Sequence, residues 1–312
     1  MLPAGDHTPE GFTLLRDSAA EKIIKRPIRR FGYPTYIFFV NRWLSRRYRN
    51  LGLRPDVWLW GQRGNDYARC RRRANHFLPL SGKQILIAGC GTGRDVLSWA
   101  IHRPASLTGV DYFNYDKAWN MLRHQAQRDF PRTKLEFSQG DLTALSQFPD
   151  GSFDVVGSDA VFEHVRNLPA VLKEFHRVLK TGGIMYATYG PLWYCWGGDH
   201  ISGFDVNAAG YNHLILKPDE HERYLDSVGG YVHSEHDGRT WIKHGLFSYL
   251  RPAEYLSALV EAGFERLYVG LIIEPRAVRC LGENPDIRAR LSEMNMELDL
   301  ITTDMTVIYR KA

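Results

Sequence analysis

A glycine-rich run near residue 90 has residue types that could hold a nucleotide-like ligand. An apolar stretch, ILIA at 85–88, leads directly into GCGTG at 89–93. Glycine adopts positive φ without a steric penalty and lets a ligand approach the backbone closely. Where such a turn joins a buried strand to the start of a helix, the free backbone N–H groups can hold polar ligand atoms. The run therefore predicts a cofactor site at the end of a strand.

Two kinds of nucleotide site use glycine-rich turns of this type. Dinucleotide enzymes have G-x-G-x-x-G, in which the last glycine allows close packing of helix and strand. Here the third glycine comes one residue early, at Gly93, and the position that a dinucleotide site requires holds Arg94. The resulting pattern, G-x-G-x-G, resembles motif I of the class I S-adenosylmethionine (SAM)-dependent methyltransferases.

Three further segments agree with this resemblance and follow in the order that the family requires. Asp111 ends the second predicted strand, 22 residues after Gly89, and GDL at 140–142 follows the third strand. SDAVFEHV at 158–165 resembles the fourth-strand motif of the small-molecule "type 11" methyltransferases, and RVLKTGG at 177–183 resembles the family's helix and turn before the fifth strand. The resemblance covers about residues 80–190, with weaker support from 251–310. It leaves out the N-terminal segment and the 190–250 insert.

The resemblance implies a SAM cofactor bound at the carboxyl ends of the strands. Asp111 is expected to accept hydrogen bonds from both ribose hydroxyls, the glycines to line the methionine end, and Asp141 to lie at the adenine-contacting position. The expected cofactor-binding residues are Gly89, Cys90, Gly91, Gly93, Asp111, Tyr112, Asp141, Leu142, Ser158 and Asp159. Taken singly, each aspartate could be a helix cap or a turn residue. Glu163 and His164 are expected to orient the backbone near the cofactor rather than to do chemistry.

Acceptor chemistry is expected in the segment after the fifth strand. Methyl transfer is an in-line displacement in which positioning matters, and a hydroxyl acceptor also gains from a general base. Six of the twelve histidines fall between His200 and His244, and histidine titrates near neutrality. His200 is the first candidate for the base and His213 the second. Surface or structural roles for these histidines stay open, and no HxH or HExxH spacing indicates a metal site.

The predicted elements must place these residues at one edge of a sheet. Between 85 and 188, short apolar runs alternate with amphipathic segments, which indicates right-handed βαβ crossovers and a mainly parallel sheet. The fold class is therefore α/β. The resemblance implies a Rossmann-like class I methyltransferase fold with seven strands in the order 3-2-1-4-5-7-6. We expect a helical N-terminal cap at 1–80 and a methyltransferase domain at 81–312, whose aromatic-rich insert either walls an apolar pocket or packs a long loop.

The N-terminal segment is strongly basic and its pattern is helical. Between Lys22 and Arg73, 15 Lys or Arg residues face two acids, a local charge of +13, so the rest of the chain carries −8. Apolar residues at 36, 39, 40, 43 and 44 predict one buried helical stripe, and a second helix is predicted from Asn65 to about His76. The charge favours an acidic or carrier-bound small molecule or an anionic membrane surface, unless it forms a solvated face.

Composition excludes several classes of protein. The chain has 312 residues, of which 44% are hydrophobic and 24% charged, which argues against disordered, collagenous and coiled-coil proteins. Its four scattered cysteines form no CxxC pair, so neither a disulfide framework nor a zinc site is expected. We see no signal-peptide pattern and no apolar run of about 20 residues, which predicts a soluble cytoplasmic protein.

These observations together predict SAM-dependent methyl transfer to a small molecule, on oxygen or nitrogen with a hydroxyl favoured. Two alternatives stay open: an RNA-binding protein or RNA methyltransferase that uses the basic cap, and a SAM-binding fold without catalysis. A nucleic-acid substrate is less favoured because SDAV at 158–161 lacks the Asn/Asp-Pro-Pro-Tyr/Phe element of amino-methylating nucleic-acid enzymes. The chain also lacks a Pro-Cys pair for cytosine methylation.

Overall fold

The computed structural model describes residues 32–57, 67–93, 95–203, 205–228 and 238–312. Three features of the sequence analysis lie outside the described residues: the cap before residue 32, the predicted helix start at Asn65, and Arg94 of the glycine-rich run. Within the described part of the chain, no helix is both long enough and apolar enough to cross a membrane.

An eight-stranded sheet forms the centre of the molecule, in the order β1-β7-β8-β6-β5-β2-β3-β4. Its strands are β1 (Arg54–Val57), β2 (Gln84–Ala88), β3 (Ser106–Asp111), β4 (Lys134–Gln139), β5 (Phe153–Asp159), β6 (Leu179–Tyr189), β7 (Phe264–Ile273) and β8 (Thr302–Lys311). Only β8 runs antiparallel to its neighbours, β6 and β7. Apart from β1, the strand order is the predicted one, so the Rossmann-like methyltransferase fold is confirmed.

Two apolar layers, one on each face of the sheet, form the core. Successive residues of the inner strands enter opposite layers: Leu86 and Val156 lie in one, and Ile85 and Val155 lie in the other. The inner strands are therefore apolar on both faces, as expected for parallel strands covered by helices. The carboxyl ends of β2, β3, β5 and β6 meet at one edge, which carries the motifs described above.

Helices cover both faces of the sheet. They are α1 (Tyr33–Arg47), α2 (Tyr67–Phe77), α3 (Val96–Ala100), α4 (Asp116–Asp129), α5 (Leu168–Val178), α6 (Asn212–Ile215), α7 (Pro218–Ser227), α8 (Gly238–His244), α9 (Pro252–Glu261), α10 (Pro275–Glu283), α11 (Pro285–Ser292) and α12 (Glu297–Ile301). In α5, the Asn167 side chain caps the first turn by accepting from the Ala170 N–H, and Leu168, Val171 and Phe175 are buried at helical spacing.

The N-terminal segment contributes a strand that the helical prediction for this region missed. β1 pairs in parallel with β7 at the sheet edge, with Arg54 opposite Gly270 and Val57 opposite Ile273. Its four residues, RPDV, alternate polar and apolar side chains, but the run is too short and Pro55 too unusual in a strand for this pattern to predict one. An edge strand needs main-chain pairing on one side only, and Pro is tolerated there. Tertiary pairing rather than local pattern therefore determines this strand.

The predicted apolar stripe of α1 divides between two faces of the helix. Ile37, Val40 and Leu44 pack into a cluster under the helix. Tyr36, Phe39 and Trp43, which the sequence analysis placed in the same buried stripe, are more than half exposed. The prediction was wrong for these three residues. Because α1 is apolar on more than one side, spacing alone could not tell which side faces the protein.

The insert at 190–250 contains more helix than its sequence indicated. A 3₁₀ turn at Asn207–Tyr211 runs into α6, and α7 and α8 follow. These helices have four to ten residues each. Elements this short give too few turns for a helical period to show in the sequence.

Candidate functional site

The glycine-rich turn after β2 is open at Gly91 and closely packed at its other glycines. All three glycines have positive φ: 68° at Gly89, 52° at Gly91 and 82° at Gly93. A Cβ at Gly89 would collide with Val161, and one at Gly93 would lie 2.6 Å from Leu122 Cδ1. A Cβ at Gly91 would meet no atom within 4 Å. Gly91 is therefore the glycine that leaves room for a ligand beside the backbone.

Asp111, at the end of β3, holds this turn in place. Its Oδ2 accepts from the Gly91 N–H at 2.6 Å, and its Oδ1 accepts from the Phe113 N–H at 3.0 Å. Trp119 Nε1 donates to the Gly91 carbonyl at 2.8 Å from the other side. A carboxylate has about four acceptor positions. Each oxygen of Asp111 can therefore accept one further donor, as the predicted ribose contact requires.

The two neighbouring positions on this edge are exposed. Tyr112 is 66% exposed, and its carbonyl accepts from Gln139 Nε2 at 3.0 Å. Asp141 lies after the paired strand β4, where its Oδ1 accepts from the N–H and hydroxyl of Thr143, both at 2.8 Å. Leu142 packs against the apolar layer below. Tyr112 and Asp141 thus extend the surface that begins at Gly91.

Cys90 lies in the same turn and has a protonated thiol at neutral pH. Burial raises the pKa of this thiol far above its ordinary value, and the nearby negative charge of Asp111 raises it further. A thiol without access to its thiolate form is a poor nucleophile. Cys90 therefore belongs to the wall of the site, not to its reacting groups.

Ser158 and Asp159, at the end of β5, already have partners inside the protein. The buried Ser158 hydroxyl donates to the Ala88 carbonyl at 3.2 Å. Asp159 forms an ion pair with Arg71 of α2 at 2.6 Å and accepts from the Tyr186 hydroxyl at 2.7 Å. Burial raises the pKa of Asp159, while the Arg71 guanidinium acts against this effect. The ion pair between Arg71 and Asp159 connects the N-terminal segment directly to the sheet edge.

His164, in the turn that follows β5, packs against aromatic rings of the insert. His164 packs against Trp241 at 4.2 Å, His200 at 5.1 Å and Phe247 at 5.4 Å between ring centroids. We name these four residues the two-histidine cluster. Nδ1 of His164 forms a hydrogen bond with the Leu246 carbonyl at 2.8 Å, and burial lowers the pKa of this histidine. His164 is therefore neutral at pH 7.

The structure places the two candidate bases in different surroundings. His200, at a backbone φ of 69°, lies in the two-histidine cluster and also contacts Trp241 at 5.0 Å. His213 has no exposed side-chain surface, and its Nε2 forms a hydrogen bond with the Trp193 carbonyl at 2.7 Å. Burial lowers the pKa of His213 as well. Of the two, only His200 is brought together with the residues that follow β5.

Asp199 is a buried carboxylate that accepts hydrogen bonds from several residues of the insert. It is fully buried and accepts from the Ser202 N–H and hydroxyl, both at 2.7 Å, and from His221 Nε2 at 3.0 Å. Burial alone would raise the pKa of Asp199, but His213 and these hydrogen bonds hold it below its usual range. Among the described residues, His213 and His221 approach this carboxylate at 4.0 and 3.0 Å, although they lie 14 and 22 residues further along the chain.

Arg71, Trp241 and Phe247 belong to this region but were not predicted from the sequence. Arg71 is 2% exposed, yet it stands in the run Arg71-Arg72-Arg73, where no local signal distinguishes it. The Glu-His-Val motif did point to His164. Among the described residues, no group of three or more His, Cys, Asp or Glu side chains could hold a metal ion.

Comparison with known proteins agrees with the sequence motifs between residues 86 and 187. Residues 86–187 match the family described as "Methyltransferase domain". Sterol 24-C-methyltransferase ERG6A of Gibberella zeae is 31% identical over 154 residues, which cover 45% of this chain and 40% of that protein. Ubiquinone biosynthesis O-methyltransferase of Albidiferax ferrireducens is 32% identical over 114 residues, or 36% and 43% of the two chains. The chain thus spans less than half the length of these relatives.

A solved S-adenosylmethionine-dependent methyltransferase from Mesorhizobium loti is similar over 78% of this chain and 97% of its own, with 21% identity and a TM-score of 0.47. The family match at 86–187 includes the glycine-rich turn, Asp111 and the segment after β5. Residues 86–187 of this chain are therefore similar to methyltransferase domains.

Proposed function

We propose that this protein transfers the methyl group of SAM to a small-molecule acceptor. The observation that carries the proposal is the open space beside Gly91, next to a carboxylate with two remaining acceptor positions. A cofactor can approach the backbone at Gly91 because no atom of the protein lies within 4 Å of the position that a Cβ would take there. When bound, SAM supplies an electrophilic methyl group on a sulfonium.

Each residue of the open edge has a proposed role in holding the cofactor. Asp111 accepts the ribose hydroxyls, and the backbone at Gly91 lies against the methionine part. Tyr112 and Asp141 flank the adenine, with Leu142 below it. For Ser158 and Asp159 we propose support rather than contact, because their side chains are engaged with Ala88 and Arg71.

The acceptor is proposed to bind beside the two-histidine cluster. Rings from the turn after β5 and from the insert meet there, which favours an acceptor with an apolar or aromatic body. His200 is the proposed base that takes the proton from an acceptor hydroxyl. His164 is held neutral by burial, with Nδ1 on the Leu246 carbonyl. We propose that it fixes the position of the His200 ring.

Cofactor binding is tested by calorimetry with SAM on the full chain and on Asp111→Ala. Loss of two charge-assisted hydrogen bonds should weaken binding by about 2–4 kcal/mol, or roughly 30-fold to 1000-fold. Asp116→Ala, a change at the exposed start of α4, is the matched control. Undiminished affinity in Asp111→Ala, with an unchanged melting temperature, would contradict the ribose role.

Transfer is tested by following a 14-dalton mass gain in candidate phenolic and alcohol acceptors. We expect His200→Ala to lower kcat about 100-fold while SAM affinity stays nearly unchanged. His176→Ala, on α5 and away from this edge, is the control. Full turnover in His200→Ala would exclude the base role. Tight SAM binding without transfer to any acceptor would favour the non-catalytic alternative, and transfer to RNA alone would favour the RNA methyltransferase.

A further inference from the structure

The outward face of α1 combines exposed aromatic rings with arginines. Tyr36, Phe38, Phe39 and Trp43 are 62%, 61%, 63% and 56% exposed. Single exposed apolar residues are ordinary on a protein surface, but a concentrated patch usually marks an interaction site. Four large rings on one helix of 15 residues make such a patch.

Positive charge alternates with these rings. The helix carries Arg42, Arg46 and Arg47 and has no Asp or Glu, and Arg49 follows two residues after its end. Arg47 is paired with Glu297 at 3.0 Å. Arg42, Arg46 and Arg49 form no ion pair within the described residues. With Phe38, Asn41 and Ser45, these three arginines line a shallow groove along the helix.

The opposite face of α1 is fixed to the protein. Leu44 is 4% exposed and lies in a cluster that includes Trp196 of the insert and Ile273 at the end of β7. Asn41 donates a hydrogen bond to Asp56 of β1. Because this face is anchored, the exposed rings cannot turn inward without breaking existing contacts. They remain available to a partner.

We propose that this face of α1 binds the surface of an anionic lipid bilayer. Aromatic rings are favoured at the boundary between headgroups and acyl chains, and arginines can extend their apolar stems inward while the guanidinium binds lipid phosphate. A second copy of the helix would bring like-charged arginines together. A bilayer satisfies both the rings and the charges.

The position of α1 gives this contact a direction. β1 and β7 run parallel, and Val57 lies opposite Ile273 where both strands end. This is the same edge of the sheet at which β2, β5 and β6 end. Because α1 packs against Ile273, a bilayer bound to α1 would lie at the end of the sheet that also carries the glycine-rich turn, with four strands between β1 and β2. The contact is peripheral, because no described helix could span a membrane.

The test is co-sedimentation of the full chain with vesicles of phosphatidylcholine alone and of equal parts phosphatidylcholine and phosphatidylglycerol. We expect salt-sensitive binding to the anionic vesicles and little to the neutral ones. Arg42→Gln with Arg46→Gln should weaken binding about 30-fold, since each arginine near an anionic surface contributes about 1 kcal/mol. Phe39→Ser with Trp43→Ser should weaken it at least about tenfold. Arg128→Gln with Arg132→Gln, on a distant exposed surface, is the matched control.

Thermal melting and SAM affinity should be unchanged in both α1 variants, which separates this proposal from the proposed catalysis. The proposal is overturned if the wild-type chain fails to bind anionic vesicles or binds neutral ones equally well. It is also overturned if the control pair weakens binding as much as the α1 pairs. Loss of a dimer in the α1 variants, or binding to RNA but not to vesicles, would assign the face to another partner.

Discussion

The cofactor edge and the insert both place carboxylates next to polar groups, but by different means. At the cofactor edge, Asp111 is held by backbone N–H groups of the turn and of the residues after β3. In the insert, Asp199 accepts from the backbone N–H groups of Ile201 and Ser202 and from the Ser202 hydroxyl, and in addition from the side chain of His221, which lies 22 residues away. The first arrangement leaves acceptor positions for a ligand. The arrangement around Asp199 is closed and fully buried, so we assign it a structural role.

Breaking the closed arrangement should have the largest effect on stability. Asp199→Ala leaves Ser202 and the ring nitrogen of His221 without their buried acceptor, and removal of one partner from such a network costs about 3–5 kcal/mol. Urea unfolding of the full chain measures this loss. Asp219→Ala, an exposed carboxylate on α7, should change stability by less than about 0.5 kcal/mol. A loss below about 1 kcal/mol in Asp199→Ala would refute the structural role.

Glu163 lies where the two regions meet and should make stability depend on pH. Its carbonyl accepts from Ser248 N–H at 2.8 Å, and burial raises the pKa of its carboxyl from 4.5 to about 8, although the backbone N–H groups of Glu163 and Gly190 act against this. The folded state binds this proton more tightly than the unfolded state does. The protonated carboxyl therefore makes its full contribution to the free energy of unfolding below about pH 4.5, and this contribution is lost as the pH rises to about 8.

Glu163→Gln mimics the protonated acid and does not titrate. We therefore expect the variant to be close to the wild type near pH 5 and to exceed its unfolding free energy by about 5 kcal/mol near pH 9. Urea unfolding at the two pH values gives the difference. Glu261→Gln, an exposed change at the end of α9, should leave the pH profile as it is. Equal profiles for Glu163→Gln and the wild type would show that this carboxyl is already ionised.

The sequence was sufficient for the sheet and the cofactor edge because their determinants are local. Each inner strand is a short apolar run with a turn signal after it, and Gly89 to Asp111 carries both the glycines and the acid of one ligand site. The strand order followed from the resemblance. β1 was missed because its pairing with β7 depends on residues more than 200 positions away.

The insert could not be predicted in the same way. Asp199 and His200 are adjacent in sequence, yet Asp199 binds His221 while His200 packs against His164. Which histidine meets which carboxylate is decided by the path of a loop with short helices. Arg71 shows the same limit, since only the folded chain distinguishes it from Arg72.

The smallest expected effect is the difference in stability between alanine substitutions at two glycines of the cofactor edge. Gly93→Ala combines a positive φ with a Cβ 2.6 Å from Leu122 and 3.0 Å from the Phe137 ring, and should cost about 3 kcal/mol of stability. The Cβ added by Gly91→Ala meets no atom within 4 Å, so this change should cost only about 1 kcal/mol of stability, because the backbone conformation alone opposes it.

If SAM lies against Gly91, however, the methyl group added by Gly91→Ala occupies space that the ligand needs. We then expect at least about tenfold weaker SAM binding in Gly91→Ala, equivalent to about 1.4 kcal/mol. Calorimetry and urea unfolding on both variants give the two quantities. Wild-type SAM affinity in a folded Gly91→Ala variant would show that the open face of the turn is not where the cofactor binds.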